Sequence, residues 1–326
     1  MNKWKKHLVF SALAFILAIG VVPVMNVQAS GMPDNSPPSG NPDSLLIPGN
    51  PTGKEQVIYD QVNTTTADEK RAFGGDQYSV GKFERPFDKD MNYLPYLDII
   101  KSTMQRDDPN FIYATIQLAV PVATSENEPV LYGLELDTNS DGRSEYLLLA
   151  QKPVSTDWSV AGVNVWKSSS AELALTGNDK VIPVTGSLGF DTNLFDSGKG
   201  TDTSLAWVRL DPNKPDTVQL AFKNSLVGGM KGRFVWRPVT DGASFASTLY
   251  DLNVSFTLEQ AGSPLKDSQY YPLKEVYAVD NTCRVASGYD ATGYEPGLCP
   301  LPPPPEKPDK PKSNPAPRQP PPDIIG

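Results

Sequence analysis

The chain has 326 residues, 32 of them proline, a formal net charge of −9 and a single histidine. That histidine, His7, lies at the extreme N-terminus, so Ser-His-Asp and Cys-His nucleophiles and ordinary zinc hydrolase sites lack an essential side chain. The acidic balance works against nucleic acid and anionic membrane surfaces, and suits cations or neutral polymers.

The first residues have three parts. Lys3, Lys5 and Lys6 give a positive start, an apolar run extends from Leu8 to about Val24, and Val27-Gln-Ala29 offers small residues for cleavage before Ser30. This pattern predicts a secretory signal peptide over 1–29, hence a secreted protein, extracellular or held in the cell envelope. A retained membrane anchor is the rival, because the run is almost long enough to span. Cleavage removes three lysines and takes the formal charge from −9 to −12. Residues 30–53 follow as a proline-rich linker, and 300–326 form a proline-rich disordered tail. Both stretches are poor in large apolar residues and read as extended spacers.

Between them, 54–299 reads as one β-sandwich domain. Ile112, Ala114, Ile116, Leu118 and Val120 alternate with Tyr113, Thr115 and Gln117, and Val218, Leu220 and Phe222 alternate with Gln219 and Lys223. Tyr250 to Leu258 alternates in the same way. Period-two patterning predicts half-buried antiparallel strands, separated by turns at Asp107-Asp-Pro-Asn110 and Asp211-Pro-Asn-Lys-Pro215. Leu94–Met104 and Asn224–Met230 are each expected to hold a short turn or helix. The fold class is all-β, an antiparallel, jelly-roll-like sandwich.

The most informative stretch is Asp137-Thr-Asn-Ser-Asp-Gly-Arg-Ser-Glu145. It sets Asp137, Asn139, Asp141 and Glu145 at alternating positions around Gly142, with the Arg143 carbonyl as a further donor. Convergent oxygens around a glycine turn suit a hard cation, so a structural calcium ion is predicted. The twelfth position is Leu148 and the flanks read as strands, which excludes an EF-hand. A bare turn would use similar residues. Three carboxylates with no lysine among them would, however, repel one another without a cation.

Cys283 and Cys299, the only cysteines, predict one disulfide in an oxidising compartment. Closing so short a loop contributes about 3 kcal/mol in the chain-entropy treatment. Its expected role is to pin the segment between them against the body.

Asn92-Tyr-Leu-Pro-Tyr-Leu-Asp98 with Phe111–Leu118, the acidic hairpin Leu134–Leu149, and Thr217–Phe222 with Ser225-Leu226 together resemble the DOMON-like and family-nine carbohydrate-binding-module β-sandwiches. The likeness covers roughly Tyr93 to Trp236. It implies a jelly-roll-like sandwich with a carbohydrate, haem or structural role. A mature chain without histidine and with few Met or Cys argues against the haem branch.

Sugar-binding sandwiches stack pyranoses on exposed aromatic rings. Trp166 falls on the polar side of Val163–Trp166, and Trp158 lies in a loop-like Thr-Asp-Trp-Ser, so these two are the stacking candidates. Core packing is the competing role for both. Trp236 shares a side with Phe234 and reads as core, whereas Tyr93 and Tyr96 flank a proline turn. There is no Walker loop and no dinucleotide fingerprint. Glu135, Asp157, Asp196, Asp202 and Glu275 remain as acids for glycoside cleavage, but no spacing pairs any two. The sequence therefore predicts a non-enzymatic, calcium-stabilised module for extracellular polysaccharide. The alternatives are an envelope structural or protein-interaction module and, third, a carboxylate-dependent glycosidase.

Overall fold

The computed structural model describes residues 45–72, 82–122, 129–168, 190–243 and 277–300. The predicted signal peptide, most of the linker and tail, the Tyr250–Leu258 run and Glu275 lie outside the described residues. In chain order the strands are β1 (Gln56–Tyr59), β2 (Glu84–Arg85), β3 (Ile99–Gln105), β4 (Phe111–Leu118), β5 (Leu131–Asp137), β6 (Tyr146–Gln151) and β7 (Val163–Lys167). They continue with β8 (Thr192–Asp196), β9 (Lys199–Gly200), β10 (Ala206–Leu210), β11 (Thr217–Lys223), β12 (Phe234–Asp241), β13 (Val279–Asn281) and β14 (Val285–Ser287).

These strands form two antiparallel sheets packed as a sandwich. One sheet has five strands in the order β1-β3-β4-β11-β10. The other runs β2-β13-β12-β5-β6-β7-β8-β9, with β14 also pairing β12. The alternation explains the packing. Ile112, Ala114, Ile116 and Leu118 of β4 and Val218, Leu220 and Phe222 of β11 point inward. They meet Tyr132, Leu134 and Leu136 of β5, Val163 and Val165 of β7, and Trp236 of β12 in one core. Trp236 is 1% exposed, as its pairing with Phe234 predicts.

Turn chemistry closes the hairpins. Asp108 Oδ1 accepts the Asn110 and Phe111 amides, each at 2.8 Å, between β3 and β4. Asp211 Oδ1 accepts the Asn213 amide at 2.8 Å between β10 and β11. Leu94–Met104 opens with the expected short turn, closed by the Leu97 amide on the Leu94 carbonyl at 2.9 Å, but from Ile99 onward it is strand β3. A bulge between Ile99 and Lys101 breaks the alternation there, so the strand carries no clean period of two. Asn224–Val227 is a short 3-10 turn, as expected. The predicted disulfide joins Cys283 and Cys299.

Candidate functional site

β5 and β6 pair from Leu131 opposite Gln151 to Leu136 opposite Tyr146, which leaves the acidic stretch as their connecting loop. Asp137 ends β5 and is buried. Its Oδ1 accepts the Ser140 amide at 2.5 Å and its Oδ2 the Gly142 amide at 2.8 Å. Asn139 Oδ1 accepts the Asp141 amide at 2.9 Å, and Asp141 Oδ1 the Arg143 amide at 2.8 Å. Ser140 and Gly142 both have left-handed backbones, at φ 64° and 97°, and Gly142 adopts this without steric cost.

This winding brings carboxylate oxygens of Asp137, Asp141 and Glu145 within 4.8 Å of one another. Asn139 spends its side-chain oxygen on the loop itself, and the Arg143 side chain is buried. Glu145 Oε2 accepts from the Thr138 amide and, at 2.8 Å, from the Thr138 hydroxyl. Its Oε1 is buried with no hydrogen-bond partner. Burial raises the pKa of both Asp137 and Glu145, and the neighbouring Asp141 charge pushes each further up. The arrangement fits a hard cation: converging carboxylates, one orphaned oxygen, and charges that are unfavourable as they stand.

The loop is braced from behind by the disulfide segment. Arg284, next to Cys283, donates from Nη1 to the Gly142 carbonyl at 2.5 Å and lies 3.5 Å from Asp137 Oδ2. Glu135 sits deeper, 2.5 Å from Arg237 Nη2 and 4.0 Å from Arg284 Nη2. Tyr289 shares a 2.8 Å hydroxyl contact with Ser140, and the Arg233 guanidinium covers the Tyr289 ring at 4.5 Å. The backbone of the segment is tied by Arg284 N to Gly297 O and Cys299 N to Arg284 O, both 2.8 Å. Pinning 283–299 therefore holds a guanidinium beside the acidic loop. The only trace of this in the sequence is a cationic residue beside a cysteine.

The second candidate is a groove of about 410 Å³ across the outer face of the five-stranded sheet. Register creates it. Thr103, Thr115, Gln219 and Arg209 stand opposite one another on four successive strands. Lys101, Gln117 and Thr217 form the next row. Such a row spans three strand spacings, roughly 14 Å. The side chains are already linked: Thr103 and Thr115 hydroxyls at 2.8 Å, Arg209 Nε to Gln219 Oε1 at 2.7 Å, and Gln219 Nε2 to Asp211 Oδ2 at 2.7 Å. Tyr59 lies opposite Lys101 on β1 and is 74% exposed. Period-two reading predicts that Thr115 and Gln117 face outward, but alignment into rows depends on non-local strand order.

No described protein family, curated protein or solved structure matches the chain.

The tryptophans divide by environment. Toward one end, the outer face of the five-stranded sheet turns apolar: Phe111, Tyr113, Trp207 and Ala221 are buried, with Trp158 and Val160 packed on them. Trp158 is half-buried beside the groove. Its Nε1 donates to the Gly49 carbonyl at 2.8 Å, the Arg209 guanidinium lies 4.3 Å over its ring, and the Tyr113 ring centroid is 6.0 Å away. Truncating Trp158 therefore removes packing as well as any ligand contact. Trp166 is half-buried on the other sheet, opposite Leu147 and Asn193, so the two rings do not form one platform.

A further acidic group was not foreseen. Carboxylate oxygens of Asp60, Glu84 and Asp280 lie within 4.8 Å of one another. Asn63 donates its side-chain amide to Glu84 and its backbone amide to Asp98 Oδ2 at 2.9 Å. The Tyr93 hydroxyl donates to Asp98 at 2.5 Å, so this ring is half-buried and engaged. Burial pushes the Asp98 pKa up to about 6.

Proposed function

We propose that this protein is an exported, calcium-stabilised β-sandwich that binds an extracellular polysaccharide on its five-stranded sheet and performs no catalysis. The observation that carries the reading is the polar groove. Rows of hydroxyl, carboxamide and guanidinium groups lie on rigid strands, preorganised by mutual hydrogen bonds and bordered by the exposed Tyr59 ring. A polyhydroxyl chain needs such a surface, with planar hydrogen-bonding groups for its hydroxyls and an aromatic face for its C–H groups.

The loop at Asp137, Asp141 and Glu145 belongs to the other sheet, so calcium there acts on stability rather than on ligand contact. In the groove, the state of Asp211 supports binding over cleavage. Asp211 has both oxygens engaged, by Asn213 N and Gln219 Nε2, whereas a general acid or nucleophile needs a free one. Elsewhere Glu135 is bound by Arg237, and Asp202 pairs with Lys223 at 2.6 Å.

The test is retention of the full chain on insoluble polysaccharides, with calcium and with chelator. Retention on at least one polymer, lost in Gln219→Met, is expected, because that change releases both Arg209 and Asp211. A folded protein retained on none of the polymers overturns the reading in favour of an envelope structural or protein-interaction module.

A further inference from the structure

The groove carries a charge pattern at odds with the rest of the molecule. The chain is acidic, with a formal charge of −9, yet the groove is lined by three cations, Lys101, Arg209 and Lys214, against two carboxylates, Glu55 and Asp211. Among the described residues, none of these three cations forms an ion pair. Arg209 is buried, yet both its side-chain hydrogen bonds go to neutral oxygens: Gln219 Oε1 at 2.7 Å and Asn50 Oδ1 at 2.9 Å. Its Nη1 has no acceptor there. The Trp158 ring, 4.3 Å below, fixes the plane of the guanidinium without neutralising it.

The Nη1 edge is left open to the groove rather than buried, so it is available to a charged acceptor there. Asp211, the nearest candidate, spends its oxygens on Gln219 and Asn213 instead. Lys101 stands on β3 at the opposite side of the same face, and Lys214 lies in the β10–β11 turn at its end. The positive groups are thus spread along the groove, with uncharged Thr and Gln side chains between them. That spacing suits anionic groups repeated along a chain better than one compact anion.

We propose, resting on the polysaccharide reading above, that the groove selects a glycan whose sugars bear carboxylates. A carboxylate takes the open edge of Arg209, and the chain's other carboxylates fall to Lys101 and Lys214. The sugar hydroxyls meet Thr103, Thr115 and Gln117. An acidic protein that carries unpaired cations in a polar groove is thereby selective, because its remaining surface repels the same polymer.

The test uses the full chain in chelator, so that calcium does not bridge protein and polymer. Retention on polygalacturonate or alginate coupled covalently to beads is compared with a neutral glucan and a sulfated galactan coupled in the same way. The expected result is preferential retention on the carboxylated polymers, weakened by added salt. Lys101→Gln with Lys214→Gln should bind about tenfold more weakly, because two partly exposed lysine–carboxylate attractions are removed together, at an unchanged melting temperature. Equal retention on the neutral glucan, indifferent to salt and to the double substitution, overturns the carboxylate proposal and leaves the binding module standing. Preference for the sulfated polymer overturns it as well. Retention on none of the polymers overturns both readings together.

Discussion

Replacing Glu145 by Gln should change the sign of its effect with calcium. In chelator the wild-type carboxylate is penalised: burial and the charges of Asp137 and Asp141 raise its pKa, and Oε1 has no hydrogen-bond partner. A glutamine keeps an oxygen for the Thr138 amide and hydroxyl, removes the charge, and turns an N–H toward Asp137 and Asp141. One hydrogen bond gained in place of a repulsion stabilises by about 1 kcal/mol, or about 2–4 °C in melting temperature for a domain of some 150–250 residues. In calcium the order reverses. An ion at a hundred times its dissociation constant adds about 2.7 kcal/mol to the wild type, about 5–10 °C on the same scale. The variant lacks a charged ligand and should gain little of this. Differential scanning calorimetry of both proteins in calcium and in chelator gives the four melting temperatures. A wild type that melts identically in the two conditions refutes the reasoning, as does a variant whose calcium response equals that of the wild type.

Three further outcomes follow from buried charges and packing. Burial holds Asp98 at about 6 against an ordinary 3.8, so between those values the fold binds a proton that the unfolded chain releases. Stability should therefore fall as pH rises from about 4 through about 6, and Asp98→Asn should flatten that part of the melting-temperature profile. Arg237→Met leaves Glu135 buried beside only the more distant Arg284 and should cost about 3–5 kcal/mol in chemical denaturation, whereas adding Glu135→Leu should recover most of the loss. Trp158→Ala removes a ring held by Arg209, Tyr113 and Gly49 and should lower stability by about 2 kcal/mol whether or not ligand binding changes.

Where side chains alternate, the fold could be read directly. β4 and β11 show in the sequence because inward Ile, Leu, Val and Phe alternate with outward Thr, Gln and Lys. β5 could be placed from its hairpin partner although it is buried on both faces. β3 was hidden by its bulge, a local irregularity that a period cannot register. The acidic loop was legible because its donors are close in sequence. The groove was not, because Thr103, Thr115, Gln219 and Arg209 come from four strands whose adjacency is a property of topology. Arg284 was hidden for the same reason, standing about 140 residues along the chain from the loop it braces. Trp158 and Trp166 were legible as aromatics on polar segments, but only the tertiary arrangement puts them on different sheets.

The earliest and latest strands of the chain depend on one another. β2 pairs with β13, and the Gln56 side chain on β1 reaches both the Ala286 carbonyl on β14 and, at 2.9 Å, the Trp236 indole in the core. A ribosome or a translocation channel emits residues 54–60 long before 279–287, so these sheets cannot be completed on the growing chain. Contacts of such span make folding slow and largely all-or-none. The architecture therefore locks only after the C-terminal strands are available, and the Cys283–Cys299 disulfide ties down a segment that the early strands already need.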